Sequence, residues 1–172
     1  VGNSIDFGDL SQARATYGGS FSSSTRGVWA GGYNNTLSPS PSVNTMDYVQ
    51  IGTLGTALDF GDMRQKQYNH TAASSPTKGF IFSGSLGDGN EIQMSNIAST
   101  GESMTEVGVT AHDQGSMAAC SNSVRAVIFG GSPSITMIQS FDMISLGNAV
   151  VFGDLSAVSM LGAAVADGTR AV

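Results

Sequence analysis

Charge is scarce in this chain. Seven Lys and Arg stand against 13 Asp and Glu in 172 residues, so charged side chains make up 12% of the whole, about half the roughly 25% of ordinary soluble domains. A chain so poor in Glu and Lys, and rich in Gly, Ser and Thr, lacks the material for helical bundles or coiled coils. The net charge of −6 repels phosphate backbones and anionic lipid, which excludes nucleic acid and acidic membrane surfaces as partners. Long apolar runs are missing too. The best, residues 160–166, is interrupted by Gly162 and falls far short of the roughly 20 residues that span a bilayer, so no membrane insertion is expected. One cysteine, Cys120, allows no internal disulfide. Two histidines, His70 and His112, form neither H-x-x-x-H nor C-x-x-C spacing with each other or with Cys120, and no metal or other cofactor is expected. Val1 opens the chain without Met or a charged-then-apolar leader, which predicts a processed chain or a piece of a longer one.

What is present is a repeat. GNSIDFGDL (2–10) recurs as GTALDFGDM (55–63) and GNAVVFGDL (147–155), with a degenerate copy, GESMTEVGV, at 101–109. A second motif follows in the same order: TRGVWAGG (25–32), TKGFIFSG (77–84), VRAVIFGG (124–131) and TRAV (169–172). A third, TMDYVQI (45–51), has weaker counterparts in EIQMSNI (91–97) and SFDMI (140–144). Each unit reads as short strands divided by turns. Asp167-Gly168 between AAVA and TRAV is a strong hairpin signal, and SSST, SSPT and SNS occupy the same place in the other units. Gly31-Gly32, Ser83-Gly84 and Gly130-Gly131 close the second strand, where positive φ or close backbone approach is expected. Units of 45–50 residues with about four short strands are the pattern of β-propeller blades.

These motifs resemble the kelch repeat. The ordered set of basic residue, apolar strand, Gly-Gly, D-Y-V and G-x-A-x-D-F-G-D-L is similar to the kelch-like arrays in virion structural proteins of tailed phages that infect marine cyanobacteria. The resemblance covers almost the whole chain, in units of approximately 2–54, 55–100, 101–146 and a partial 147–172. It implies an all-β fold of about three to four four-stranded kelch-like blades, complete only with its own termini, a longer chain or other protomers. It also implies a non-enzymatic role in a phage tail, fibre or particle surface, with other virion proteins or identical chains as partners and host surface polysaccharide as a contact. The implied location is the virion, with the cytoplasm as runner-up. The alternatives are a carbohydrate-active propeller enzyme and a kelch-type protein-interaction module.

Residues that look functional are mostly absorbed by the repeat. Asp6-Phe7-Gly8 and Asp59-Phe60-Gly61 lack the H-R-D loop and strand Lys of a kinase. They read instead as a core Phe beside an Asp-Gly turn, with Phe152 as the third such Phe. Arg26, Lys78, Arg125 and Arg170 share one repeat position, as do Asp6 with Asp59, Asp9 with Asp62 and Asp154, and Asp47 with Asp142. The repeated base is expected to pair with a repeated Asp. Trp29 aligns with Ile81 and Ile128 and is expected in the core. No catalytic constellation stands out; an enzyme would draw two carboxylates roughly 5–9.5 Å apart from Glu91, Glu102, Glu106 and Asp113. The loop Gly87–Glu91 reads as a solvated turn without the spacing of a calcium loop. The best candidate for ligand contact is the insertion at 33–44 in the long first unit, where Tyr33, Asn34, Asn35 and Thr36 supply stacking and amide hydrogen bonds and Pro39 and Pro41 stiffen the chain.

Overall fold

The computed structural model describes residues 2–15, 17–37, 39–84, 89–113, 115–132 and 135–172. Among them there is no helix, as the composition requires, and the chain is all-β. The described residues form thirteen strands in three sheets. The first contains β1 (Ser20–Ser22), β2 (Arg26–Tyr33), β3 (Ser42–Gln50) and β4 (Leu58–Asp62). The second contains β5 (Thr71–Ser74), β6 (Lys78–Phe82), β7 (Glu91–Asn96) and β9 (Thr105–Val109), and the third β10 (Ala118–Ser121), β11 (Arg125–Phe129), β12 (Ile135–Asp142) and β13 (Val150–Ser159). Each is an antiparallel meander in chain order; the short β8 (Glu102–Ser103) joins the edge of β4 in parallel.

The register makes the repeat exact in space. Ser20 pairs with Trp29, Ala72 with Ile81 and Ala119 with Ile128, so these positions are equivalent in the three sheets. One strand further, Trp29 faces Asp47, Ile81 faces Gln93 and Ile128 faces Gln139. The equivalents of Asp47 are therefore Gln93 and Gln139. Asp142, expected at the same position as Asp47, lies opposite Arg125 and is instead equivalent to Gln50 and Asn96. Matching by residue type shifted the alignment by three positions. The sequence units and the sheets are also out of phase, because the D-F-G-D motif that opens each unit forms the last strand of a sheet.

That motif is a β-bulge. Met46 pairs with Gly61 and Asp47 with Asp59, leaving Phe60 as the extra residue on β4. Val107 is skipped between Gly108 and Glu106, and Phe152 between Gly153 and Val151, in the same way. A bulge re-aims the side chain it carries, and Phe60 enters the core between the first two sheets. Asp59 Oδ1 accepts from the Gly61 amide at 3.0 Å, and Asp6 Oδ1 from the Gly8 amide at 3.1 Å, so this Asp-x-Gly is a local turn device as expected. Positive φ is present at Gly31, Gly32, Gly130 and Gly131, and Ser83 adopts it as well, with φ of 48°.

Two cores lie between the sheets. Phe21, Val28, Ala30, Met46 and Phe60 of the first meet Ile81 and Ile97. Phe80, Phe82 and Ile92 of the second meet Ile128, Phe141 and Met143, with Phe141 edge-on to both Phe80 and Phe82 at 5.3 and 5.5 Å. Strand alternation explains the split: Ile81 points back to the first sheet while Phe80 and Phe82 point forward to the third.

Backbone bonds tie each sheet to the element that precedes it through a pair of amides. The amides of Gly55 and Ala57 donate to the carbonyls of Phe7 and Asp9, at 2.9 and 2.8 Å. Those of Gly101 and Met104 donate to Phe60 and Asp62, both at 2.8 Å, and those of Gly147 and Ala149 to Val107 and Val109, at 3.0 and 2.9 Å. The segment 2–10 thus stands to the first sheet as β4 stands to the second.

Candidate functional site

Three places bring polar or apolar groups together in a way the strands alone do not require. The first is a line of buried polar side chains where each sheet receives the loop from the preceding edge strand. Gln93 Oε1 accepts from the Arg64 amide at 2.8 Å, and Gln139 Oε1 from the Ala111 amide at 2.7 Å. At the equivalent point Asp47 accepts from the Ser11 hydroxyl. Ser11 and Arg64 directly follow the nine-residue motif, and Ala111 lies two residues past its degenerate third copy, so one side chain per sheet pins the incoming loop. Asp47 adds a charge. Its Oδ2 lies 2.8 Å from Arg14 Nη2, both side chains fully buried, while Arg14 Nε and Nη1 have no hydrogen-bond partner among the described residues. Three residues beyond Arg64, as Arg14 lies three beyond Ser11, stands Gln67, whose amide oxygen meets Gln93 Nε2 at 3.5 Å. The first sheet uses an ion pair where the second uses two glutamines.

The same row continues to Glu91, buried and paired with Arg64 and with Gln65 Nε2 at 3.1 Å. Arg64 Nη2 also reaches Glu106 at 3.4 Å. Of the four acids weighed for catalysis, these two come together, and one guanidinium bridges them. Glu102 and Asp113 are exposed, Asp113 with its carboxylate against Gly89. Of the Gly87–Glu91 loop, Gly87 and Asp88 lie outside the described residues.

The ion pairs depart from the expectation for the repeated bases, which is met only between Arg125 and Asp142, cross-strand neighbours whose charges attract without a direct ion pair. Among the described residues they use Arg14 and Arg64, and none joins Arg26, Lys78, Arg125 or Arg170 to Asp9, Asp62 or Asp154. Arg26 instead donates to the carbonyls of Ile97 and Ala98, at 2.8 and 2.9 Å, and lies 4.8 Å from the Tyr48 ring centre, bridging the first sheet to the second. Asp154 accepts from the Thr136 hydroxyl at 2.7 Å, and Asp9 and Asp62 are exposed. Arg125 lies opposite Asp142, whose carboxyl sits below the usual range chiefly because the Ser145 and Ile144 amides donate to it. Arg170 is exposed, its amide donating to Asp167 in the last hairpin.

The second place is where the starts of β1, β5 and β10 meet. His70 is buried there beside Gly18 and Gly31, where its imidazole occupies the space a side chain would take at either glycine. Burial lowers its pKa from 6.5 to about 4, against a smaller opposing effect of the Ala30 and Gly19 backbone. His112 is exposed. The two histidines do not share a repeat position, since the residue just before β10, as His70 is just before β5, is Met117. Cys120 is buried in β10, and burial pushes its thiol up, away from nucleophilic character.

The candidate ligand loop leaves the same end of β2, two residues beyond Gly31. Tyr33 is the last residue of β2 and packs edge-on to Tyr68 at 5.4 Å. Asn34 Oδ1 accepts from the Thr36 amide and hydroxyl, at 3.0 and 2.6 Å, closing the turn on itself. Asn35 and Thr36 face solvent. Ser38 lies outside the described residues.

The third place is the pair of faces that no described sheet covers. On the outward side of the first sheet Trp29, Val49 and Ile51 line an apolar cleft of about 460 Å³ with Phe7 and Leu10. Trp29, expected in the core, is only half-buried there, because its equivalents Ile81 and Ile128 are covered by a preceding sheet and it is not. Ile51 is 49% exposed where Ile97 is 1%. At the far side Phe152 is 60% exposed where Phe60 is 1%. Compared with known proteins, the chain matches no family model, and no curated protein is similar to it. The geometry of the repeat, its polar pins and its two open faces carries the functional reading.

Proposed function

We propose that this chain forms kelch-like β-propeller blades and serves as a non-enzymatic structural component of a virion. The observation that supports it is the repeated joint: a pair of backbone hydrogen bonds ties segment 2–10 to the first sheet, the first sheet to the second and the second to the third, and each sheet contains a four-stranded antiparallel meander, the arrangement expected of propeller blades. Charged groups take up the work of locking these joints. Arg14, Asp47, Arg64 and Glu91 hold loops to sheets, and Arg26 bridges two sheets. The motif resemblance supplies the virion setting, in a tail, fibre or particle surface, and the uncovered apolar faces suit a protein that works by assembling. Host polysaccharide contact falls to the loop at Tyr33–Thr36, with Asn35 and Thr36 as the exposed donors and acceptors and the Tyr33–Tyr68 pair behind them.

The test is mass spectrometry of purified, gradient-banded particles from a phage that encodes the chain, with antibody labelling in electron micrographs. The expected result is peptides spanning the three sheets at a fixed copy number per particle and label on the particle surface. Recovery only from the infected-cell lysate, with none in intact particles, would overturn the virion role.

A further inference from the structure

Among the described residues, the repeated joint has one acceptor half and one donor half left without a partner. β13 is the last strand of its sheet. Its Phe152 and Asp154 stand where Phe7 and Asp9, Phe60 and Asp62, and Val107 and Val109 stand in the three joints already made. At the other end, Gly2 and Ser4 stand in the nine-residue motif where Gly55 and Ala57, and Gly147 and Ala149, stand. Those residues donate the joint's two amides. Gly2 and Ser4 are exposed, and the segment 2–10 already presents its carbonyls of Phe7 and Asp9 to its own first sheet, just as 55–63 does in both directions at once.

We infer that the edge of β13 binds residues 2–5 of a second copy of this chain, with the Gly2 and Ser4 amides donating to the Phe152 and Asp154 carbonyls. The inference names the partner for the assembling role proposed above and rests on that reading only to this extent. An unpaired sheet edge is a template for such strand addition. The occupant is argued from continuity with the joints within the chain, since GNSIDFGDL and GNAVVFGDL differ at only three of their nine positions. Apolar groups accompany the edge: Ile5 on the segment is 73% exposed, and Val150 and Phe152 on the strand are 63% and 60% exposed. The last hairpin does not stand in the way. It closes on itself through Val165 and Val172 and touches the inner part of the third sheet through Asn122 and Gly168.

Glycine supplies the specificity. A Cβ on Gly8, Gly61 or Gly108 would strike the carbonyl of Gly55, Glu102 or Gly147 in the next segment, whereas one on Gly153 meets nothing within 4 Å. Gly153 is the same position at the unfilled joint, so G153A is tolerated by the single chain and closes the edge to a second copy. Ser4→Pro removes the donor on the other half without touching a described contact. The association is head-to-tail, so it grows into a ring if its rotation closes and into a filament if it does not.

Sedimentation and light scattering across a concentration series of the full chain test this. Wild type is expected to associate with rising concentration, and G153A and S4P each to weaken association by at least about tenfold in Kd with unchanged circular dichroism. An equimolar mixture of G153A and S4P is expected to form a one-to-one dimer and stop, because one joint between them is intact. A wild type that stays monomeric, variants that associate like wild type, or a mixture that stays monomeric each overturns the inference. Loss of the chain from particles would leave this result standing, and a monomeric chain found in particles would leave the virion role standing.

Discussion

Asp47→Asn lowers the stability of the chain by about 3–5 kcal/mol, the expected cost of stranding one partner of a fully buried ion pair. Asp47 and Arg14 are both sealed from solvent and 2.8 Å apart, so the substitution leaves a guanidinium with no counter-charge in a medium that solvates it poorly. For a domain with a total of about 5–15 kcal/mol, that loss leaves little or no folded margin. The pair itself is not the reason for the large number. Buried ion pairs return little over a well-packed neutral replacement, and the second sheet supplies such a replacement in Gln67 and Gln93, both fully buried at equivalent positions. The double variant R14Q/D47Q is therefore expected to recover most of what Asp47→Asn loses. Urea unfolding followed by Trp29 fluorescence measures both. A double variant no more stable than the single one would show that the two sheets are not interchangeable at this pin.

Acidification from pH 7 to pH 4 is expected to destabilise the wild type by about 3 kcal/mol through His70 alone, from a pKa moved from 6.5 to about 4. The native state holds the imidazole neutral because burial disfavours its charge, while the unfolded chain takes up the proton near pH 6.5. Between those values the unfolded state binds more protons, so stability falls as pH falls, and it levels off below about pH 4. Asp142 and Asp167 act in the same direction but lower, since local amides hold both carboxyls below their ordinary 3.8. Their contribution is present above that value and is lost as pH falls through their native pKa, which separates the two effects. His70→Met places the residue that the third sheet carries at the same point, Met117. The variant is expected to keep its stability from pH 7 to pH 4.5. Parallel pH curves for wild type and H70M would show that the acid response arises elsewhere.

The parts of the fold that glycine and apolar spacing control were legible in the sequence. Gly31-Gly32 and Gly130-Gly131 mark positive φ because few other residues adopt it cheaply, and the Ser83 substitution kept the conformation. The equivalence of Trp29, Ile81 and Ile128 was legible because strand alternation preserves apolar character. The polar pins were not. Asp47, Gln93 and Gln139 do one job with two side-chain types, so identity matching tied Asp47 to Asp142, three positions out of register. The ion pairs were hidden for a similar reason. Arg14 and Arg64 stand outside the repeated basic position, while Arg26 inside it donates to carbonyls of the next sheet. Trp29 shows the remaining gap: repeat position fixes which way a side chain points, but its burial depends on whether a neighbouring sheet stands there.

Amide hydrogen exchange, resolved by residue in dilute solution, tests the repeated joint most directly. The account expects the amides of Gly55, Ala57, Gly101, Met104, Gly147 and Ala149 to exchange orders of magnitude more slowly than those of Gly2 and Ser4, since only the former are bonded across a joint in the single chain. Exchange at all six as fast as at Gly2 and Ser4 would mean that the sheets are not joined as described and would contradict the account.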